Sequence, residues 1–394
     1  MTPVLPPVVA VLQAGLRDGV AGALSAEVFA RGRRVHASCH GALDAPGPRA
    51  LRRDDLFDVA SLTKVMATTT LAAQLAQAGA LRLDAPVAET LPGFEAGGKG
   101  AVSARHLLAH ASGLPEWRPY FESAARDPVA GQAFLPPGER PPPPSLAAAA
   151  IRGRAIVREL VLAEPLEAPP GARAAYCDPG FIALGLAVEA LAGASLAGLA
   201  ERRVFGPLGL ASTGFLDGAD PARARARADG RTFVPTGRSA PRREVLCGAV
   251  NDDNAWAMGG VGGHAGLFST ASDVAAFGQA WLDALSGGRG PIPSDAAAEF
   301  ARRDTATPGS GRALGWDTPS GAEPAIGSRL GRGPRGAIGH LGYTGCSLWI
   351  DLDAGVVCAL LTNHVHPTGK SDKPRIRELR RRFHDAVAEG LGIG

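Results

Sequence analysis

Ser61 and Lys64 stand three residues apart at the start of a run with helical character that extends to Ala78. On a helix, positions i and i+3 share a face one turn apart, so hydroxyl and amine meet. A serine there also lies beside unpaired backbone N–H groups and the positive end of the helix dipole. The amine can take the hydroxyl proton if burial or a nearby cation depresses its pKa. The N–H groups can stabilise the oxyanion formed in acyl transfer. Phe57, Val59 and Ala60 precede the pair and Val65, Met66 and Ala67 follow it, an apolar setting in which a lysine does not sit idle.

Two further clusters carry chemistry. Tyr176-Cys177-Asp178 lies between Pro169-Pro170-Gly171 and Pro179-Gly180, in a loop ahead of a helix. A phenol beside a Ser/Lys pair can shuttle the proton between nucleophile and leaving group. His340-Leu341-Gly342-Tyr343 falls on an expected strand, where Gly342 would let a substrate backbone approach. The Tyr343 N–H could pair with that of Ser61 as an oxyanion hole. Each cluster also has a plain structural reading: a helix-end serine with a solvated lysine, a tyrosine packed on the core, a strand histidine with one hydrogen bond.

The elements that must hold these residues are legible in outline. Val8 to Leu16 reads as a helix. Gly22 to Ala30 and Arg34 to Gly41 read as strands joined through Arg31-Gly32-Arg33. Gly79 stops the Ser61 helix. From Leu83 to about Pro235 the pattern is helices broken by loops. Leu135 to Pro144 (LPPGERPPPP) is expected to be a surface loop and Pro221 to Arg227 a solvated loop. Phe181 to Ala192 is helical, Gly259 to Gly266 a Gly-rich turn region, and Ala271 to Leu285 helical. Ala337 to His340, Cys346 to Asp351 and Gly355 to Leu361 are strands, and Pro374 to Leu391 is a closing helix. The fold class is therefore α+β: an antiparallel sheet built from both chain ends, flanked by helices, with an inserted helical lobe. Residues 1–82 and 236–394 would form the sheet domain and 83–235 the lobe, with the active site at their interface.

Composition narrows the rest. The chain has 394 residues and a net charge of +3, too small for nucleic-acid binding. Only Lys64, Lys99, Lys370 and Lys373 are lysines among 41 basic residues. The five cysteines are irregularly spaced without a C-x-x-C, which fits free thiols in a reducing compartment rather than a disulfide framework or a zinc site. No run of about 18 apolar residues suggests a membrane span. Val4 to Leu12 lacks the features of a secretory signal, so a cytoplasmic location is expected. No metal or cofactor is implied. Gly260-x-Gly262-x-x-Ala265 does not follow a strand and is not a dinucleotide fingerprint. His364-x-His366 has no third ligand and reads as a loop after the last strand.

In order and spacing, the three clusters resemble the serine β-lactamase-related superfamily, nearest its branch of class C β-lactamases, D-alanyl-D-alanine carboxypeptidases and related esterases. Leu107 to Pro115 is similar to that family's "LLxHxSGLP" segment, Pro170-Gly171 through Leu184-Gly185 to "PG…YxDxGFxxLG", and Gly262 to Thr270 to "AGHAGLFST". The resemblance spans roughly Arg34 to Leu361. It implies Ser61 as the acylated nucleophile, Lys64 as its base or proton relay, and Tyr176 as the second general base. It implies His340 in the place of the lysine of the "KTG" strand, and the Ser61 and Tyr343 N–H groups as the oxyanion hole. His110 and His264 fall in its structural segments. Trp117 and Tyr120, after the "SGLP" segment, are expected to line the substrate cleft.

Two departures from the pattern matter. Asp178 stands where the lactamases have asparagine, and a carboxylate near Lys64 raises the lysine pKa and shifts the load to Tyr176. It also stands ready to hold Lys64 in position. His340-Leu341 replaces Lys-Thr, so the hydroxyl contact to a substrate carboxylate is lost and the remaining cation would titrate near neutrality. On that basis activity is expected to fall in mildly basic buffer.

The function expected is a serine hydrolase working through an acyl-enzyme on Ser61, of esterase or amidase/D-amino-acid-peptidase type, with weak or no β-lactamase activity. Its partner would be a small ester, amide or peptide. The sequence is silent on oligomeric state. The alternatives are an acyltransferase using the same acyl-enzyme and a non-catalytic binding protein on the same fold.

Overall fold

The computed structural model describes residues 3–44 and 47–394. Its main sheet has six antiparallel strands in the order β3–β2–β1–β11–β10–β9. The strands are β1 (Ala23–Ala30), β2 (Arg33–Leu43) and β3 (Arg49–Ala50) from one end of the chain. From the other end come β9 (Ala337–Leu341), β10 (Ser347–Asp351) and β11 (Val356–Thr362). The seam between the two ends is β1 against β11, with Leu24 opposite Thr362 and Ala30 opposite Val356. The β1–β2 turn has positive φ at Arg31 and Gly32, the backbone twist that a two-residue hairpin requires.

Side chains along β11 alternate between two cores. Val357, Ala359 and Leu361 join Leu348 and Ile350 of β10 beneath the helix Ala271–Leu285, through Val274, Phe277 and Trp281. Val356, Cys358 and Leu360 face the helices Pro6–Arg17 and Lys373–Leu391, packing with Val8, Leu12, Leu379 and Phe383. A sheet covered on both faces explains why β11 reads as an unbroken apolar run. The expected fold class holds: helices and an antiparallel sheet built from both termini.

The smaller sheets tie the middle of the chain to its ends. Strand β4 (Phe57–Asp58) pairs with β8 (Leu267–Ser269), which pairs with β5 (Gly214–Phe215). Strands β6 (Arg238–Ser239) and β7 (Glu244–Val245) form a separate ribbon. The closing helix is capped by Asp372, whose carboxylate accepts from Arg375 N, and ends at Gly392 with φ +66.

Two stretches differ from expectation. The helix Pro143–Ala163 begins inside the Pro-rich stretch expected to be a loop throughout. Proline lacks only an N–H that the first helical turn leaves unpaired in any case, so a proline run can open a helix. Pro221–Ala228 is likewise a helix and not a loop, started by the Asp220 carboxylate accepting from Arg223 N. Its Arg227 donates to Thr213 O and pairs with Glu201.

Candidate active site

Strand β4 delivers the chain into the nucleophile turn. Asp58 is buried, and its two carboxylate oxygens accept from Ala60 N at 2.8 Å and Asn251 N at 2.6 Å. Burial pushes this carboxyl up to about 6, against the pull of those two backbone donors. Ala60 is forced to φ +48, a strained conformation for a residue with a Cβ, directly before Ser61. Thr63 Oγ1 locks the turn by donating to Ala60 O. The helix that follows is π-wound over Lys64–Thr69 before becoming α-helical over Thr70–Gln77, and such turns recur at functional sites.

Lys64 is fully buried, and its ammonium donates three hydrogen bonds: to Ser61 Oγ at 3.0 Å, Asp178 Oδ1 at 2.7 Å and His264 O at 3.1 Å. The ammonium has three protons, so all are committed. Burial works against the charge, but Asp178 and Tyr176 outweigh it and hold Lys64 above the ordinary lysine range. The shift favours the ammonium, which donates to Ser61 in this arrangement. The acceptor carbonyl of His264 is fixed by close packing: Thr68 Oγ1 donates to Gly263 O, and a Cβ on Gly263 would lie 2.1 Å from Phe181 O.

Tyr176 sits at the end of the loop before the helix Asp178–Ala192. His110, buried at φ +55, organises it. Its carbonyl accepts from Ala175 N, its Nδ1 accepts from Cys177 N at 2.9 Å, and its ring stacks on Tyr176 with centroids 4.6 Å apart. Lys64 Nζ lies 4.8 Å and Arg312 Cζ 5.2 Å from the phenol ring centre. Burial raises the Tyr176 pKa, opposed chiefly by Lys64. Arg312, which the sequence reading missed, pairs with Asp317, and Asp317 exchanges two backbone hydrogen bonds with Gly339 of β9.

On β9, His340 is buried with Nδ1 donating to Leu341 O at 2.9 Å, while Nε2 has no partner among the described residues. Burial drives its pKa down to about 4, with Lys64 and Arg312 adding to the effect against Asp317. The expected cation titrating near neutrality is thus a neutral imidazole, because the ring lies out of water between two cations. Gly342 lines the cleft, as a position for substrate approach requires, and it also serves packing. A Cβ there would meet Val59 O at 2.6 Å, so glycine lets the end of β9 press on the nucleophile loop. Among the described residues, neither the Ser61 nor the Tyr343 N–H has a hydrogen-bond partner.

These groups line one open cleft of about 1430 Å³ that includes Ser61, Tyr176, Asp178, His340, Gly342 and Tyr343. Trp117 also faces it, 48% exposed. Tyr120 does not. It is buried in the main core, and its hydroxyl, needing a partner there, donates to Glu164 at 2.8 Å. The cleft lining also includes Arg238, Lys370, Lys373, Arg377 and Arg380. His364 is spent on the backbone, with Nδ1 donating to Val20 O and Nε2 accepting from Asp372 N. Among the described residues no group of three or more His, Cys, Asp or Glu side chains is arranged to hold a metal ion.

Comparison with known proteins agrees with this geometry. The family model Beta-lactamase matches residues 8–381. An Escherichia coli (strain K12) protein named "Putative D-alanyl-D-alanine carboxypeptidase" is 30% identical over 334 residues, covering 79% of this chain and 69% of the relative. Among solved structures, EstCE1, a hydrolase with promiscuous acyltransferase activity, superposes with a TM-score of 0.69 at 20% identity over 97% of both chains. A family VIII carboxylesterase gives 0.68 at 21% identity over 99% of both. A penicillin-binding protein homologue from Caulobacter crescentus gives 0.68 at 18% identity, also over 99% of both. At these identities the structures speak for the fold, and the sequence matches for descent: the chain belongs to the Beta-lactamase family and is a serine hydrolase.

Proposed function

We propose that the protein hydrolyses small esters, and amides more slowly, through an acyl-enzyme on Ser61. The observation that carries this reading is the contact of Lys64 Nζ with Ser61 Oγ at 3.0 Å, in a cleft also lined by Tyr343, whose N–H, like that of Ser61, has no hydrogen-bond partner among the described residues. Tyr176, as phenolate, takes the Ser61 proton while Oγ bonds to the substrate carbonyl carbon. The Lys64 ammonium and Arg312 stabilise that phenolate. The Ser61 and Tyr343 N–H groups hold the oxyanion. The carbonyl re-forms and the alcohol or amine leaves with the proton from Tyr176; water deprotonated by Tyr176 then attacks the acyl carbon, the bond to Ser61 Oγ breaks, and Tyr176 returns that proton to Oγ. Residues 1–82 and 236–394 supply Ser61, His340 and Tyr343 in this scheme, and 83–235 supplies Tyr176 and Trp117, so the site lies between the sheet region and the helical lobe. Leu341 offers no hydroxyl to a substrate carboxylate, which supports weak or absent β-lactam turnover.

A fluorophosphonate probe tests the nucleophile, and a panel of p-nitrophenyl esters, nitrocefin and a D-Ala-D-Ala peptide tests the substrate. Labelling at Ser61 with ester turnover, both lost in Ser61→Ala, is the expected result. Absent labelling, or equal labelling of Ser61→Ala, overturns the reading. Acyl transfer to an added alcohol is the second reading, supported by a cleft wide enough for an acceptor beside the acyl-enzyme.

A further inference from the structure

Arg380 stands on the closing helix Lys373–Leu391 with its side chain buried beside the end of β9. Among the described residues it has no carboxylate partner. Its donors go to backbone carbonyls of a single turn: Nη2 to Gly342 O and to Cys346 O, each at 2.8 Å, and Nε to Gly345 O at 3.2 Å. That turn also closes on itself, with Gly342 N donating to Cys346 O at 2.7 Å and Gly345 N to Gly342 O at 3.0 Å. Burial lowers the guanidinium pKa to about 10, so it remains charged at neutral pH.

The Gly342 carbonyl and the Tyr343 N–H belong to one planar trans amide, in which C=O and N–H point in opposite directions. A group that fixes the carbonyl fixes the direction of the N–H. A charged donor on the carbonyl also draws electron density from the amide and strengthens its N–H as a donor, the polarisation expected along hydrogen-bonded chains. We propose that Arg380 is a positioning residue for the oxyanion hole, orienting and polarising the Tyr343 amide by gripping the Gly342, Gly345 and Cys346 carbonyls. This rests on the reading of Tyr343 N–H as an oxyanion donor, and it assigns a catalytic consequence to a helix that contributes no group to the reacting atoms.

Substituting sulfur for the carbonyl oxygen tests it, because an N–H pocket shaped for an oxyanion accepts the larger, weaker-accepting sulfur poorly. Wild type, Arg380→Lys and Arg380→Met would be assayed on a p-nitrophenyl ester and on the matching thionoester, with thermal melting and Ser61→Ala in parallel. Removal of an oxyanion donor costs about 10²–10³ in kcat. Misorientation of one donor is expected to cost Arg380→Met about 10–100-fold in kcat on the oxygen ester, with KM within about threefold. Its preference for oxygen over sulfur should collapse, and Arg380→Lys, which keeps a charged donor, should restore part of it. An unchanged oxygen-to-sulfur preference in either folded variant overturns the assignment, even if kcat falls with melting temperature. If Arg380→Met does not fold, Arg380→Lys alone decides by the same ratio. A wild type that is never acylated at Ser61 overturns the proposed function instead, and this inference with it.

Discussion

Asp178→Asn isolates the electrostatic feature that sets the resting state of the nucleophile. Lys64 Nζ and Asp178 Oδ1 lie 2.7 Å apart, the lysine fully buried and the aspartate 17% exposed. At an effective dielectric of about 20 the gross attraction is roughly 6 kcal/mol. Asparagine keeps an oxygen that accepts the lysine N–H, and the exposed part of Asp178 is screened, so about half, roughly 3 kcal/mol, is the expected differential. At 1.36 kcal/mol per tenfold, the proton affinity of Lys64 falls by about a hundredfold. The remaining hydrogen bonds, to Ser61 Oγ, His264 O and the asparagine oxygen, still oppose burial, and a hundredfold loss brings the Lys64 pKa back towards its unfolded value rather than below it. In the wild type, the Lys64 pKa is raised above its unfolded value of 10.5. Its stabilising contribution is complete at every pH below that value and does not vary between pH 6 and 9. In the variant the folded pKa stays at or above the unfolded one, so the stability lost is the same at every pH between about 6 and 9.5. The assay is kcat/KM on p-nitrophenyl butyrate from pH 6 to 9.5, with melting temperatures across the same range. Wild-type activity should climb throughout, because the Tyr176 pKa is raised and its base form grows with pH. The Asp178→Asn rise should begin at lower pH, because Asp178 also raises the Tyr176 pKa and its removal lets the phenolate form sooner, while Lys64 stays a cation. Superimposable pH profiles, or a variant whose loss of melting temperature shrinks as pH rises, would refute the reasoning.

Two further outcomes follow from the same groups. His340 and His384 are buried with pKa values near 4 against 6.5 unfolded, so the unfolded chain takes up protons first and stability is lost as pH falls from 6.5 towards 4. At pH 5 each costs about 2 kcal/mol, while Asp58, raised to about 6, returns about 1 kcal/mol. The melting temperature should drop clearly between pH 7 and 5, with a shallower slope in His384→Phe, and a flat curve or an unaltered slope would count against it. Gly342→Ala places a Cβ 2.6 Å from Val59 O, backbone against backbone, so β9 must retreat from the nucleophile loop. The expected cost is about 1–3 kcal/mol in stability and at least about tenfold in kcat, and wild-type turnover in a stable variant would exclude that role.

What the sequence disclosed and what it withheld divide along one line. Ser61, Lys64 and the strands at both termini are encoded in local spacing, and local spacing survives in the fold: Lys64 does meet Ser61, and β1 does pair with β11. The protonation of His340 is a property of what surrounds it, namely burial and two cations brought from distant segments, and no window around residue 340 contains those. Arg312 was concealed by composition, since one arginine among so many carries no signal until its guanidinium is found 5.2 Å from the Tyr176 ring centre. Arg380 did leave a trace. The buried residues of the closing helix include Ile376, Leu379, Arg380, Phe383, His384 and Val387, so an arginine occupies a position where helical periodicity demands an apolar residue. Burying a charge there is costly unless it is fully bonded. Tyr120 is the converse case: its neighbour Trp117 does face the cleft, yet Tyr120 turns inward because the core has Glu164 waiting for its hydroxyl. A polar residue that breaks the pattern of its own element therefore marks a long-range contact better than a reactive residue that fits its pattern. By that criterion Arg380, and not the other basic side chains of the cleft lining, is where substitution should separate catalysis from folding.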